Sequence, residues 1–167
     1  APQKLKDTVV DLLVERKDPA SLPALTDQLA IHDDYIAKTE SQALGPVARA
    51  IAGLGGAKLP HEQIAAALAA LQSHLDAPST QSSDLVFVID AMAAIGQGAE
   101  RPALGSHLLL YHCDDDLGGD PAWDQAIVPA LDVHGGPAEH ELLRQVAEDP
   151  RTKPGLTALI KTALAND

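Results

Sequence analysis

The sequence predicts an all-α chain: an α-solenoid of about four two-helix repeats closed by a C-terminal capping helix. Three observations carry this. Apolar residues recur at helical spacing in segment after segment, glycine stops fall between the segments at a near-constant interval, and the core-forming residues are small aliphatics. Hydrophobic residues are 46% of the 167 while aromatics are 2%, a composition that suits helices packed on helices better than a β-sandwich.

Taken in order, Leu5, Val9, Leu12 and Leu13 form the first apolar stripe. Arg16-Lys17 then leads into Asp18-Pro19, which offers an N-cap acceptor and a proline at the first helical position, where its missing N–H costs nothing. Leu22, Leu25 and Leu29 continue the pattern. A long helix is expected from about Asp34 to Leu54, interrupted at Gly45-Pro46, where a kink is predicted. The segment HEQIAAALAALQSHLD at 61–76 places Ile64, Leu68, Leu71 and Leu75 on one face, and a Pro-containing connector runs from Ala77 to Ser83. LVFVI at 85–89 competes as a strand, but its continuation DAMAAIG keeps the helical period through Leu85, Val88, Ile89 and Met92. Leu104, Leu108 and Tyr111 mark the next helix. Asp120-Pro121 opens another, with Trp123, Ile127 and Leu131 in register. Leu142, Leu143 and Val146 form the next stripe, and Leu156, Ile160 and Leu164 suit a cap at 154–165.

The stops Gly55-Gly56, Gly96-Gln97-Gly98 and Gly135-Gly136 recur about every 40 residues, each where a residue able to take positive φ would close a last helical turn. Arg16-Lys17-Asp18-Pro19 holds the equivalent place upstream. This period sets approximate repeats of 3–33, 34–76, 82–116 and 120–149 within a single domain spanning 1–167. A two-helix unit cannot bury its apolar face alone, so stacked units share a core.

Two segments carry a family likeness: Lys17-Asp18-Pro19-Ala20-Ser21-Leu22-Pro23-Ala24-Leu25 and Arg49-Ala50-Ile51-Ala52-Gly53-Leu54-Gly55. In them the chain resembles bacterial HEAT-like repeat proteins, the first matching a turn plus second helix and the second the end of a first helix. The resemblance implies a helical solenoid that contacts another protein through one exposed face. Some HEAT-like proteins are bilin lyases or DNA glycosylases, so it also admits a lyase-type enzyme, or a purely structural repeat segment of a larger protein.

The net charge of -12 is unevenly placed: residues 59–143 hold 13 acids against one base, Arg101. That field repels phosphate backbones and anionic membranes, which sets nucleic acid aside and favours a partner protein with a basic surface. No run approaches the ~18 apolar residues of a membrane span. The chain starts at Ala1-Pro2 without an initiator Met, which fits a processed product, an exported bacterial protein or part of a larger polypeptide, so compartment stays open, with the single cysteine slightly favouring a reducing, cytoplasmic one.

The densest chemistry lies in YHCDDDLGGDPAWDQ, residues 111–125. Asp114, Asp116 and Asp120 resemble an acidic calcium loop, but Gly118 and Gln125 stand where two oxygen ligands belong. The seven histidines contain no i, i+4 pair, and His112-Cys113 has no second cysteine to complete a zinc site. The aspartates after Cys113 disfavour a thiolate. No metal, cofactor or catalytic constellation is therefore expected, and the histidines read as ordinary surface residues. The candidate partner-binding residues are Asp114, Asp115, Asp116, Asp120, Trp123 and Asp124, with Trp123 either an interface anchor or a core filler.

Overall fold

Helical periodicity carries through wherever the chain is described. The structure, a computed structural model, describes residues 8, 9, 11, 12, 14–30 and 44–166, and no strand occurs among them. They fall into two compact units, Ala1–Gly96 and Gln97–Asp167.

In the first unit, residues 8, 9, 11, 12 and 14–16 are helical. Val9 and Leu12 are 48% exposed, so this part of the first stripe is not core; Leu5 and Leu13 lie outside the described residues. Lys17 takes positive φ, and Asp18 accepts from the Ala20 N–H at 3.0 Å, the cap anticipated from Asp18-Pro19. A 3₁₀ turn at Pro19–Ser21 then feeds α1 (Leu22–Ala30). The described part of α2 is Leu44–Ala52 and includes Gly45-Pro46; residues 34–43, read as the same helix on the far side of the expected kink, lie outside the described residues.

Next come α3 (His61–Asp76) and α4 (Ser82–Ile95), which settles LVFVI as helix. The predicted stripes of α1, α3 and α4 are all buried. Helix α1 packs on α2 and α3, and α4 packs on α3 and α2. Small residues make the α2–α4 approach close: a Cβ at Gly45 would stand 3.0 Å from Asp84 Oδ1 and 3.2 Å from the Phe87 ring.

The second unit holds α5 (Arg101–Tyr111), α6 (Pro121–Asp132), α7 (Pro137–Glu148) and α8 (Pro154–Leu164). Asp120 caps α6 through the Ala122 N–H at 2.9 Å. Helix α5 packs on α6 and α7, and α8 packs on α6 and α7. Each helix thus meets the next and the next but one, burying Leu104, Leu108, Ile127, Leu131, Leu143, Val146, Leu156 and Ile160.

The glycine stops divide into two kinds. Gly56 and Gly98 take positive φ, as expected. Gly135 and Gly136 do not: Gly136 is the extended N-cap of α7, its N–H donating to Glu139 Oε2 at 2.7 Å. Gly135 is required by a close approach instead, since a Cβ there would fall 1.9 Å from the Leu131 carbonyl oxygen.

Candidate functional site

The acidic segment after α5 does not stand alone. Residues 112–120, joining α5 to α6, lie against residues 149–153, joining α7 to α8. The Lys153 N–H donates to the His112 carbonyl at 3.2 Å, and the Lys153 ammonium pairs with Asp115. His112 Nδ1 lies 2.8 Å from Thr152 Oγ1, whose hydroxyl donates to the Val146 carbonyl at 2.6 Å. Because the threonine proton is committed to a carbonyl, Nδ1 must be the donor in the His112–Thr152 bond, which leaves Nε2 with its lone pair when the ring is neutral.

Two further ligand-type groups lie close to the ring. Asp149 Oδ2 is 4.0 Å from Nε2, and Cys113 Sγ is 3.6 Å from Nε2 and 3.2 Å from Nδ1. One ligand atom from each of His112, Cys113 and Asp149 can be chosen so that all lie within 4.8 Å of one another. Arg151 holds the Asp149 carboxylate from the solvent side with two side-chain bonds and its own N–H, keeping it low at about 2. The surroundings of Cys113 include two bases that a reading of its sequence neighbours does not supply, Arg151 and Lys153.

The aspartates themselves have separate duties. Asp114 turns its Oδ1 back to accept from the N–H groups of Asp116 at 3.0 Å and Leu117 at 2.7 Å, so it folds its own loop. Asp115 is 93% exposed at its side chain and pairs with Lys153, which holds its carboxyl below the usual range. Asp116 is exposed.

Trp123 takes the core alternative: it is fully buried, and its Nε1 donates to His107 Nε2 at 3.1 Å. It therefore contributes no exposed anchor. Asp124 is only 5% exposed, and its Oδ1 is sealed without a hydrogen-bond partner. Burial first, and the Asp120 charge second, push its carboxyl up to about 6. The other oxygen lies on the Gly155 side, 3.7 Å from where a Cβ of Gly155 would stand. Asp124, Gln125, Gly118, Lys153, Gly155 and Leu159 are among the residues lining an open cavity of about 520 Å³.

Three histidines expected at the surface are core residues. His74 donates from Nε2 to the Leu29 carbonyl at 2.9 Å, while His107 and His112 are buried in the bonds described above. His32 lies outside the described residues.

Sequence reasoning named Asp124 with its acidic neighbours as a partner-binding candidate without foreseeing its burial, and missed Thr152, Asp149 and the cavity. It sought a second cysteine near His112-Cys113, whereas the third donor is a carboxylate delivered by another connector. No family model, no curated protein and no solved structure matches the chain.

Proposed function

We propose that this chain is a HEAT-like helical-repeat binding module whose cavity beside Asp124 receives a lysine or arginine side chain of a partner protein. The contacts of each helix with the next and next but one in the second unit support the solenoid reading. One observation carries the binding reading: a nine-tenths buried carboxylate, mostly ionised at pH 7, borders an open cavity, and with Oδ1 sealed it is Oδ2, on the Gly155 side, that an incoming cation would meet. A buried charge of that kind is costly until an opposite charge meets it. The one ammonium in the lining, Lys153, is engaged by Asp115. Exposed Asp116 and half-buried Asp120 add negative potential nearby that would steer a basic partner.

Trp123 precedes Asp124 and is the sole tryptophan, which makes it a reporter. A Lys/Arg-rich peptide titrated at low salt should change its emission, and affinity should fall with ionic strength and as pH drops below about 6, where Asp124 takes up a proton. Asp124→Asn should weaken binding about tenfold or more. Equal binding of that peptide by wild type and the variant would remove Asp124 from the reading.

A further inference from the structure

A second recognition chemistry lies in the same pair of connectors. We infer that His112, Cys113 and Asp149 form a three-ligand site for a zinc ion, with a fourth position open to water or an external ligand. Imidazole, thiolate and carboxylate together suit a borderline divalent metal. The inference does not depend on the basic-partner reading, and neither result decides the other.

Geometry supports it first. With Zn–N near 2.0 Å and Zn–S near 2.3 Å, tetrahedral ligation sets the nitrogen and sulfur about 3.6 Å apart, and the nitrogen and a carboxylate oxygen about 3.4 Å apart. His112 Nε2 and Cys113 Sγ are 3.6 Å apart; Nε2 and Asp149 Oδ2 are 4.0 Å apart. Capture then requires the Asp149 carboxylate to close in by roughly half an ångström and the thiol, which at 3.2 Å from Nδ1 lies beside the ring and off the Nε2 lone-pair axis, to swing round to the Nε2 side by a few ångströms. Both side chains are only part-buried and can move.

Orientation supports it second. His112 is 7% exposed, and its Nδ1–H is fixed by Thr152, which is itself fixed by the Val146 carbonyl. That is how a metal-binding histidine is held, with the far nitrogen donating to a fixed acceptor so that the near one presents its lone pair. With the ring neutral, a lone pair faces a carboxylate across 4.0 Å, an arrangement of two acceptors that a cation between them resolves.

Charge is the third consideration. Thiolate and carboxylate bring two negative charges to a divalent ion, and Arg151 occupies Asp149 from the solvent side. Each carboxylate oxygen has two lone pairs, so Oδ2 can keep the Arg151 bond and still ligate. Arg151 is 76% exposed at its side chain, leaving it free to swing out.

The test uses the full chain, reduced and freed of metal. Cobalt(II), a spectroscopic substitute for zinc, should bind once and give a thiolate-to-metal charge-transfer band. Zinc should displace it in competition with a chromogenic chelator. Cys113→Ser, at a part-buried position, should keep the helical circular dichroism and lose the band. Asp149→Asn should lower zinc affinity by about tenfold or more, and Thr152→Val, which frees the ring without removing a ligand, by about tenfold. Absence of a charge-transfer band, or zinc affinity in Cys113→Ser equal to wild type, would overturn the site and assign any bound zinc to surface carboxylates and histidines.

Discussion

Replacing Asp124 by Asn separates what this side chain does for folding from what it does for binding. Burial and the Asp120 charge move its carboxyl from 3.8 to about 6. At ~1.4 kcal/mol per pH unit this is at most about 3 kcal/mol, and partial solvation through the cavity reduces it to about 1–3 kcal/mol. The native state holds the proton more tightly than the unfolded chain. Between pH 3.8 and 6 it therefore binds the extra proton, and wild-type stability falls as pH rises through that window, with the penalty complete above about 6. Asn does not ionise, so Asp124→Asn should gain on wild type by about 1–3 kcal/mol between pH 4 and pH 7. Urea unfolding at a series of pH values, followed by Trp123 emission and circular dichroism, measures this directly. Any fixed packing cost of the amide cancels, because only the change with pH is read. A difference between the two proteins that stays flat from pH 4 to 7 would refute the reasoning. If the slope appears and basic-peptide binding is lost, the wild type keeps a destabilising charge at the position that its ligand requires.

Three further outcomes follow from the same unit. Trp123→Phe removes the buried bond to His107 and leaves unfilled volume, and should cost about 1–3 kcal/mol in urea unfolding followed by circular dichroism. Gly118→Ala should destabilise by about 1–3 kcal/mol in the same assay. Its Cβ would fall 2.5 Å from the Tyr111 carbonyl oxygen and under 3 Å from those of Asp114 and His112, all backbone atoms with little freedom to yield. Charge reversal at Asp116 should weaken basic-peptide binding, measured by Trp123 emission, with the melting temperature unchanged, whereas reversal at Asp114 should lower both because Asp114 closes the loop.

Helices and caps were legible in the sequence because each depends on residues a few positions apart. The period of Leu85, Val88, Ile89 and Met92 decided helix over strand, and Asp18-Pro19 and Asp120-Pro121 announced their caps. The glycine pairs were legible in place and only partly in role, since a close approach such as Gly135 to the Leu131 carbonyl leaves no local signature. The burial of Asp124 was not legible for a definite reason. A single-stripe reading puts the neighbour of Trp123 toward solvent, but α6 is covered by α5, α7 and α8, and its buried face is wider than one stripe. The pairing of His112 with Thr152 spans 40 residues, and no spacing rule connects them.

The described structure also shifts where the negative charge of the middle segment remains available. Two bases from the C-terminal segment, Arg151 and Lys153, answer Asp149 and Asp115, while Asp114 is committed to its own backbone. What remains near the cavity is Asp116, Asp120, which also caps α6 through the Ala122 N–H, and Asp124. The last two lie at the N-terminal end of α6, where the helix dipole favours a carboxylate by about 0.3–1 kcal/mol. Yet the Asp124 carboxyl is raised rather than lowered, so burial and the Asp120 charge outweigh the dipole there. A cation arriving at Asp124 relieves that penalty, while one arriving at exposed Asp116 meets a carboxylate already solvated by water. Asp124→Asn should accordingly weaken a basic peptide more than Asp116→Asn does, although both remove one negative charge. Equal losses would mean that the partner reads only the overall field and not the cavity.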